Sequence, residues 1–167
     1  MKDFSTFDII RIFDIPRERL QDWINRGYIF PSLKTAEGKG TKNIFSHWDL
    51  YGIELFQRLI ISGHMREIAS IYYKSWVAMQ SKSTIESFKK WKYLICLTSP
   101  IKPSEYSAQN IKISNSGKCK VDKFSNLRVV MTNNINLEEF IVDCHNWESI
   151  NIINIEEIFN TVDKKVG

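Results

Sequence analysis

Residues 5–27 read STFDIIRIFDIPRERLQDWINRG, and their spacing decides the first half of the fold. A hydroxyl N-cap at Ser5 or Thr6, an acidic first turn at Asp8 and apolar Phe7, Ile9, Ile10 and Phe13 predict a short helix. Asp14 and Ile15 make a tight connection. Pro16 then stands where the first turn of a helix tolerates a missing N–H, and a second helix runs to Gly27. Leu20, Trp23 and Ile24 recur at i, i+3 and i+4, so one face packs inward and Arg17, Arg19, Gln21 and Arg26 lie on the other faces.

Outward from this pair, Tyr28 to Phe45 changes to extended pieces around a flexible tip: YIFPSLKT, AEGKG and TKNIF. Two short strands joined by a basic loop are expected. Ser46 as N-cap with Asp49 at N3 resembles a capping box, and Phe45 with Leu50 forms a hydrophobic staple, so a helix is expected from His47 to Ile61, closed by Gly63. Met65 to Met79 follows as an amphipathic helix through Ile68, Ile71, Tyr72, Ser75 and Met79. A polar break at Gln80 to Ser83 precedes a basic helical piece, Thr84 to Trp91.

Beyond Trp91 the texture becomes β-rich. Strands are expected at Lys92–Thr98, Ile111–Ser114, Lys118–Val121, Leu127–Thr132 and Ser149–Ile153. Asn136 with Glu139 and Asn154 with Glu157 have N-cap-to-N3 spacing, predicting helices at Leu137–His145 and Ile155–Lys165, and Pro100–Asn110 is loop. The expected class is α+β, with residues 1–75 as one domain, 76–91 as a helical connector and 92–167 as a small α+β unit that oligomerises or senses an effector.

Composition narrows the function. With 167 residues and 43% hydrophobic content the chain can bury a core, and its apolar runs are far too short to span a bilayer. The N-terminus lacks a secretory pattern, so the default compartment is cytoplasmic. Cys96, Cys119 and Cys144 are odd in number and widely spaced, which argues against a disulfide framework or a structural zinc site. Residues 1–92 hold 15 Lys and Arg against 10 Asp and Glu, a net of +5, while residues 93–167 hold 8 against 9, a net of −1. A basic half suits a polyanion, although five charges also fit a solvated surface.

Candidate chemistry follows that asymmetry. Arg and Gln on a helix can hydrogen-bond base edges in the major groove while neighbouring Lys and Arg neutralise phosphates, which makes Arg17, Arg19 and Gln21 candidate readers. RERLQD taken alone reads more simply as an ordinary solvated face with Arg and Glu at helical spacing. The loop weighs on the other side, because Lys34, Lys39 and Lys42 on a Gly-permitted turn serve no packed core. Cys144 beside His145 makes a poor metal site, and Trp76, Trp91, Tyr93 and Trp147 are more cheaply explained by packing than by a ligand pocket. No nucleophile motif, P-loop or GxGxxG occurs; no enzymatic activity, metal or cofactor is expected.

From about Phe4 to Tyr72 the chain resembles the winged-helix regulators named after the mercury-resistance regulator MerR. The resemblance rests on STFDIIRIF, a second helix with Trp-x-x-x-Gly in RERLQDWINRGYI, then Pro31 and Ser32, a Gly-bearing wing, the aromatic-Ser-x-x-Asp-Leu start FSHWDL, and LIISGHMREI. It implies a winged helix-turn-helix, double-stranded DNA as partner and a homodimer. It also implies roles by position: Arg17 and Arg19 at the start of the recognition helix, Arg26 and Tyr28 near the backbone, and Lys34, Lys39, Lys42 and Asn43 on the wing. The chain departs from the family at Gln21 and Asp22, where an aromatic or basic residue often precedes the Trp, so base contacts do not carry over wholesale. It also lacks the long dimerisation helix, so a dimer would use the α+β unit or Ile71 to Trp91. The expectation is a transcription regulator. The alternatives are a protein-interaction module that uses Tyr28, Phe30 and the C-terminal unit, and an excisionase-like factor that bends DNA.

Overall fold

The computed structural model describes residues 3–38, 41–80, 84–98, 119–121, 127–133 and 149–167. The chain is mixed α and β and forms two compact units, Met1–Ile85 with Ile158–Gly167, and Glu86–Glu157.

In the first unit, strand β1 (Phe4–Ser5) leads into helix α1 (Thr6–Phe13), where Ser5 and Asp8 form a reciprocal capping box. Asp14 ends α1 in the left-handed region at φ 51°, and the N–H groups of Asp14 and Ile15 both return to the Ile10 carbonyl. This turn is the tight connection expected from the sequence. Helix α2 (Arg17–Asn25) follows, with Pro16 as its N-cap rather than inside its first turn. Gly27 closes it at φ 67°, a conformation that costs a residue with a Cβ, while the N–H of Gly27 bonds to Ile24 and that of Tyr28 to Trp23. Ile9, Phe13, Leu20 and Trp23 point into the core. Phe7, expected on the apolar face, is 70% exposed: two residues before Ile9, it sits about 200° around the helix from it.

Strand β2 (Ile44–Phe45) pairs antiparallel with β1, placing Phe4 opposite Phe45. The two-stranded wing expected within residues 28–45 is reduced to one bridge, Lys34 with Ile44. The reason is visible in the preceding segment, whose backbone is held by side chains instead of a strand. The Tyr28 carbonyl accepts from Ser70 Oγ at 2.9 Å, the Phe30 carbonyl from Tyr73 Oη at 2.5 Å, and the Ser32 N–H donates to Asp49 Oδ2 at 3.0 Å. Alternate residues are satisfied in this way, and Pro31 between them has no N–H to offer a ladder.

Helix α3 (His47–Ile61) begins at Ser46 with a complete capping box to Asp49, and both staple residues, Phe45 and Leu50, are fully buried. Its end is a Schellman turn: the N–H of Gly63 bonds to Ile60 and that of His64 to Leu59. Helix α4 (Arg66–Met79) packs against α3, and Gly52 permits the close approach, since a Cβ there would stand 3.0 Å from Trp76 Cδ1 and from Tyr73 Cε2. Of the α4 face expected, Tyr72 and Met79 are buried, and the inward side extends to Ser70, Tyr73 and Trp76. Ile68, Ile71 and Ser75 are half-buried, while the inward Ser70 and Tyr73 hydroxyls and the Trp76 indole find carbonyl partners in Tyr28, Phe30 and Trp48.

The piece expected at Thr84–Trp91 is only a single turn, α5 (Ile85–Phe88), since the backbone must extend into β3 (Tyr93–Thr98). Strands β4 (Cys119–Val121), β5 (Leu127–Thr132) and β6 (Ser149–Asn154) complete an antiparallel sheet in the order β4-β5-β3-β6. Tyr93 stands between Thr132 and Asn154, and Thr98 between Leu127 and Ser149. Asn154 Oδ1 accepts from the Glu157 N–H, capping the last helix, α6 (Ile155–Val166), at the residue expected. Expected from sequence to belong with residues 92–167, α6 instead joins the first unit from Ile158 onward, where Phe159 meets Tyr51 and Trp76. The strand expected at residues 111–114, the helix at 137–145, the loop at 100–110, Lys39, Cys144 and Trp147 lie outside the described residues.

Candidate nucleic-acid interface

Helix α2 buries Leu20 and Trp23, and successive residues turn by about 100°. Glu18, Asp22 and Asn25 therefore occupy the middle of its outward face, flanked by Arg17 and Gln21 on one side and Arg19 and Arg26 on the other. Arg17, Arg19, Gln21 and Arg26 are all exposed, as expected. Gln21 Nε2 donates to Asn25 Oδ1 at 2.8 Å, a surface bond that a base edge could replace.

Asp22 is the departure that matters most electrostatically. Its Oδ1 accepts from Arg26 Nε at 2.6 Å, and its Oδ2 lies 4.0 Å from Arg66 on α4. Two cations thus offset the carboxylate on the outward face of α2. The Asp22 hydrogen bond, and then the Tyr28 oxygen, hold the Arg26 guanidinium above its already high value. Tyr28 Oη donates to Glu67 at 2.6 Å; that bond raises the phenol and lowers the carboxylate. Asp22, Arg66 and Glu67 were not among the candidates read from sequence. Glu67 lies 39 residues from Tyr28, and no local pattern joins them.

Loop residues 33–45 contain the remaining candidates. Lys34 and Lys42 are exposed, and neither forms an ion pair with another described residue. Asn43 is placed differently from the expectation: it is only 8% exposed, and its Oδ1 accepts from the Ala36 N–H at 2.8 Å. Its short amide is drawn inside by that backbone donor, so it shapes the loop from within. Lys39 lies outside the described residues.

The loop is closed at its base by Asp49. Its Oδ2 accepts from the N–H of Ser46 at 2.8 Å, the N–H of Ser32 at 3.0 Å and Oγ of Ser32 at 2.8 Å. Burial pushes the Asp49 carboxyl above its usual range, and these hydrogen bonds pull the other way. The nearby Tyr73 phenol is raised well above its ordinary value by burial and by the Asp49 charge.

Elsewhere in the unit Arg58 and Lys165 are committed, while Lys74 and Lys164 are exposed and form no ion pair with a described residue. Arg58 Nε and Lys165 Nζ both bond Glu54, at 2.8 and 3.1 Å, and Arg58 also reaches Thr161. Among the described residues no group of three or more His, Cys, Asp or Glu is placed to hold a metal ion. No helix among them is long and apolar enough to cross a membrane. No protein-family model matches the sequence, and no curated protein does.

Proposed function

We propose that this chain is a DNA-binding transcriptional regulator of the MerR-like type, its first unit a winged helix-turn-helix. Helix α2 enters the major groove, loop 33–45 lies on the flanking backbone, and a homodimer doubles the contact. The observation that carries this reading is the exposure of four cations on α2 and loop 33–45. Arg58 and Lys165 are paired with a buried glutamate, whereas Arg17, Arg19, Lys34 and Lys42 are exposed and form no ion pair with a described residue. Such cations release counterions on meeting phosphates at little internal cost. Arg and Gln near the start of a helix are also the side chains that read guanine and adenine edges.

A protein-interaction reading draws support from the exposure of Phe30 and Leu33 beside the loop. Selection from a random duplex pool by the purified protein separates the two. Enrichment of a motif, with half-sites about one helical turn apart for a dimer, is the expected result. No retention of duplex even at low salt would leave the protein-interaction reading in its place.

A further inference from the structure

Ser32 and Ser46 stand 14 residues apart in sequence, yet their hydroxyl oxygens are 3.0 Å apart, and both residues bond one carboxylate oxygen of Asp49. The Ser46 part of this cluster caps α3: Ser46 Oγ accepts from the Asp49 N–H at 3.2 Å while the carboxylate accepts from the Ser46 N–H. The Ser32 part does nothing for the helix. It joins the residue that enters the loop to the residue that leaves it, and it spends a hydroxyl and an N–H on a fully buried carboxylate. Next to it, the bridge between Lys34 and Ile44 is the only described strand pairing that joins the two ends of the loop to each other, with N–H to carbonyl distances of 2.8 and 3.2 Å. A single bridge is a weak constraint on a loop of this length, whereas hydrogen bonds to a buried charge are strong and directional.

We propose that Asp49 and Ser32 form a clamp at the base of loop 33–45 that fixes where Lys34 and Lys42 stand, making Ser32 a positioning residue for the backbone contact of the DNA interface. The inference rests on the DNA-binding reading for its functional half only. The Asp49 carboxylate gathers the loop ends and caps α3 with the same oxygen, so the loop takes its direction from α3. Without the Ser32 hydroxyl the capping box remains but only the Ser32 N–H still holds the loop entry to Asp49, so the entry loosens and the lysines sample positions that do not coincide with phosphates.

Ser32→Ala tests this, because it removes the hydroxyl bonds to Asp49 and Ser46 but leaves the capping box of Ser46 and Asp49; it should melt somewhat lower than the unaltered chain and still unfold cooperatively. In the full-length variant the amides of Lys34, Ala36 and Ile44 are expected to exchange faster. Affinity for duplex DNA is expected to fall on the order of tenfold, with the salt slope shallower by about 1 to 2, the share of two lysines. Ser32→Thr retains the hydroxyl and should restore both. Unchanged exchange overturns the clamp, and faster exchange with unaltered affinity and slope overturns the positioning role. Should the unaltered protein retain no duplex at low salt, the DNA reading fails by itself and the exchange rates alone decide the clamp.

Discussion

The indole N–H of Trp48 donates to the carbonyl of Trp76 at 2.9 Å, and the indole N–H of Trp76 returns to the carbonyl of Trp48 at 3.2 Å. The rings stack with centroids 5.2 Å apart, locking α3 to α4 where Gly52 lets the helices close. Each buried donor is satisfied by the facing helix's backbone, so the pair contributes both packing and polar satisfaction.

That geometry makes Trp76→Phe cost about 2–3 kcal/mol, from lost area and a lost hydrogen bond. Gly52→Ala costs about 1–3 kcal/mol, because its Cβ meets two ring edges that have nowhere to move. Trp76→Ala removes one of the two ring edges outright, so Gly52→Ala should cost less in that background than alone. Urea denaturation checks this, and additive costs would contradict the close approach.

Two carboxylates should titrate in opposite directions. Burial raises Asp49, so the native chain holds that proton more tightly than the unfolded chain; its contribution to stability is greatest at low pH and declines as pH rises through the folded value. The Tyr28 hydrogen bond lowers Glu67, whose contribution is present above the unfolded value and is lost as pH falls through the folded one. Carboxyl NMR should find Asp49 above and Glu67 below their usual values. Tyr28→Phe should move only Glu67 back, and a Glu67 midpoint unaffected by that change would contradict the bond.

Helix α6 is a structural part of the first unit. Ile158, Phe159 and Val162 are buried, Tyr51 Oη donates to Asp163 at 2.6 Å, and Lys165 reaches Glu54. Three buried apolar side chains amount to about 5–8 kcal/mol of burial, comparable with the whole stability of a domain. A chain ending at Asn154 should therefore lose cooperative unfolding in urea. A transition as steep and as late as that of the full chain would contradict this assignment.

Much of the local structure was legible in the sequence, because its signals are local. Ser5 with Asp8, Ser46 with Asp49, Gly27, Gly63 and Asn154 each act within one turn of backbone, and each caps or closes the helix it was expected to. Long-range polar contacts were not legible. The stretch YIFPS has the composition of a strand, but Ser70, Tyr73 and Asp49 satisfy its backbone from 42, 43 and 17 residues away. The same contacts draw Ser70 and Tyr73 of α4 inward, where apolar periodicity located the buried Tyr72 and Met79 but also pointed to the half-buried Ile68 and Ile71. At the candidate site, exposure of the α2 cations followed from the burial of Leu20 and Trp23. The inward turn of Asn43 did not, since an asparagine in a polar loop carries no sign of which donor it will meet.

The most direct test of the central claim is the affinity of the purified chain for duplex DNA as a function of salt concentration. Paired variants, Arg17→Ala with Arg19→Ala and Lys34→Ala with Lys42→Ala, would be measured beside it. The account predicts a steep fall in affinity with salt, by a slope of about 0.9 per phosphate contacted. It also predicts relaxed sequence preference in the arginine pair, and in the lysine pair uniformly weaker binding with a slope shallower by about 2. Binding that is absent at low salt, or that ignores both salt and these four residues, would contradict it.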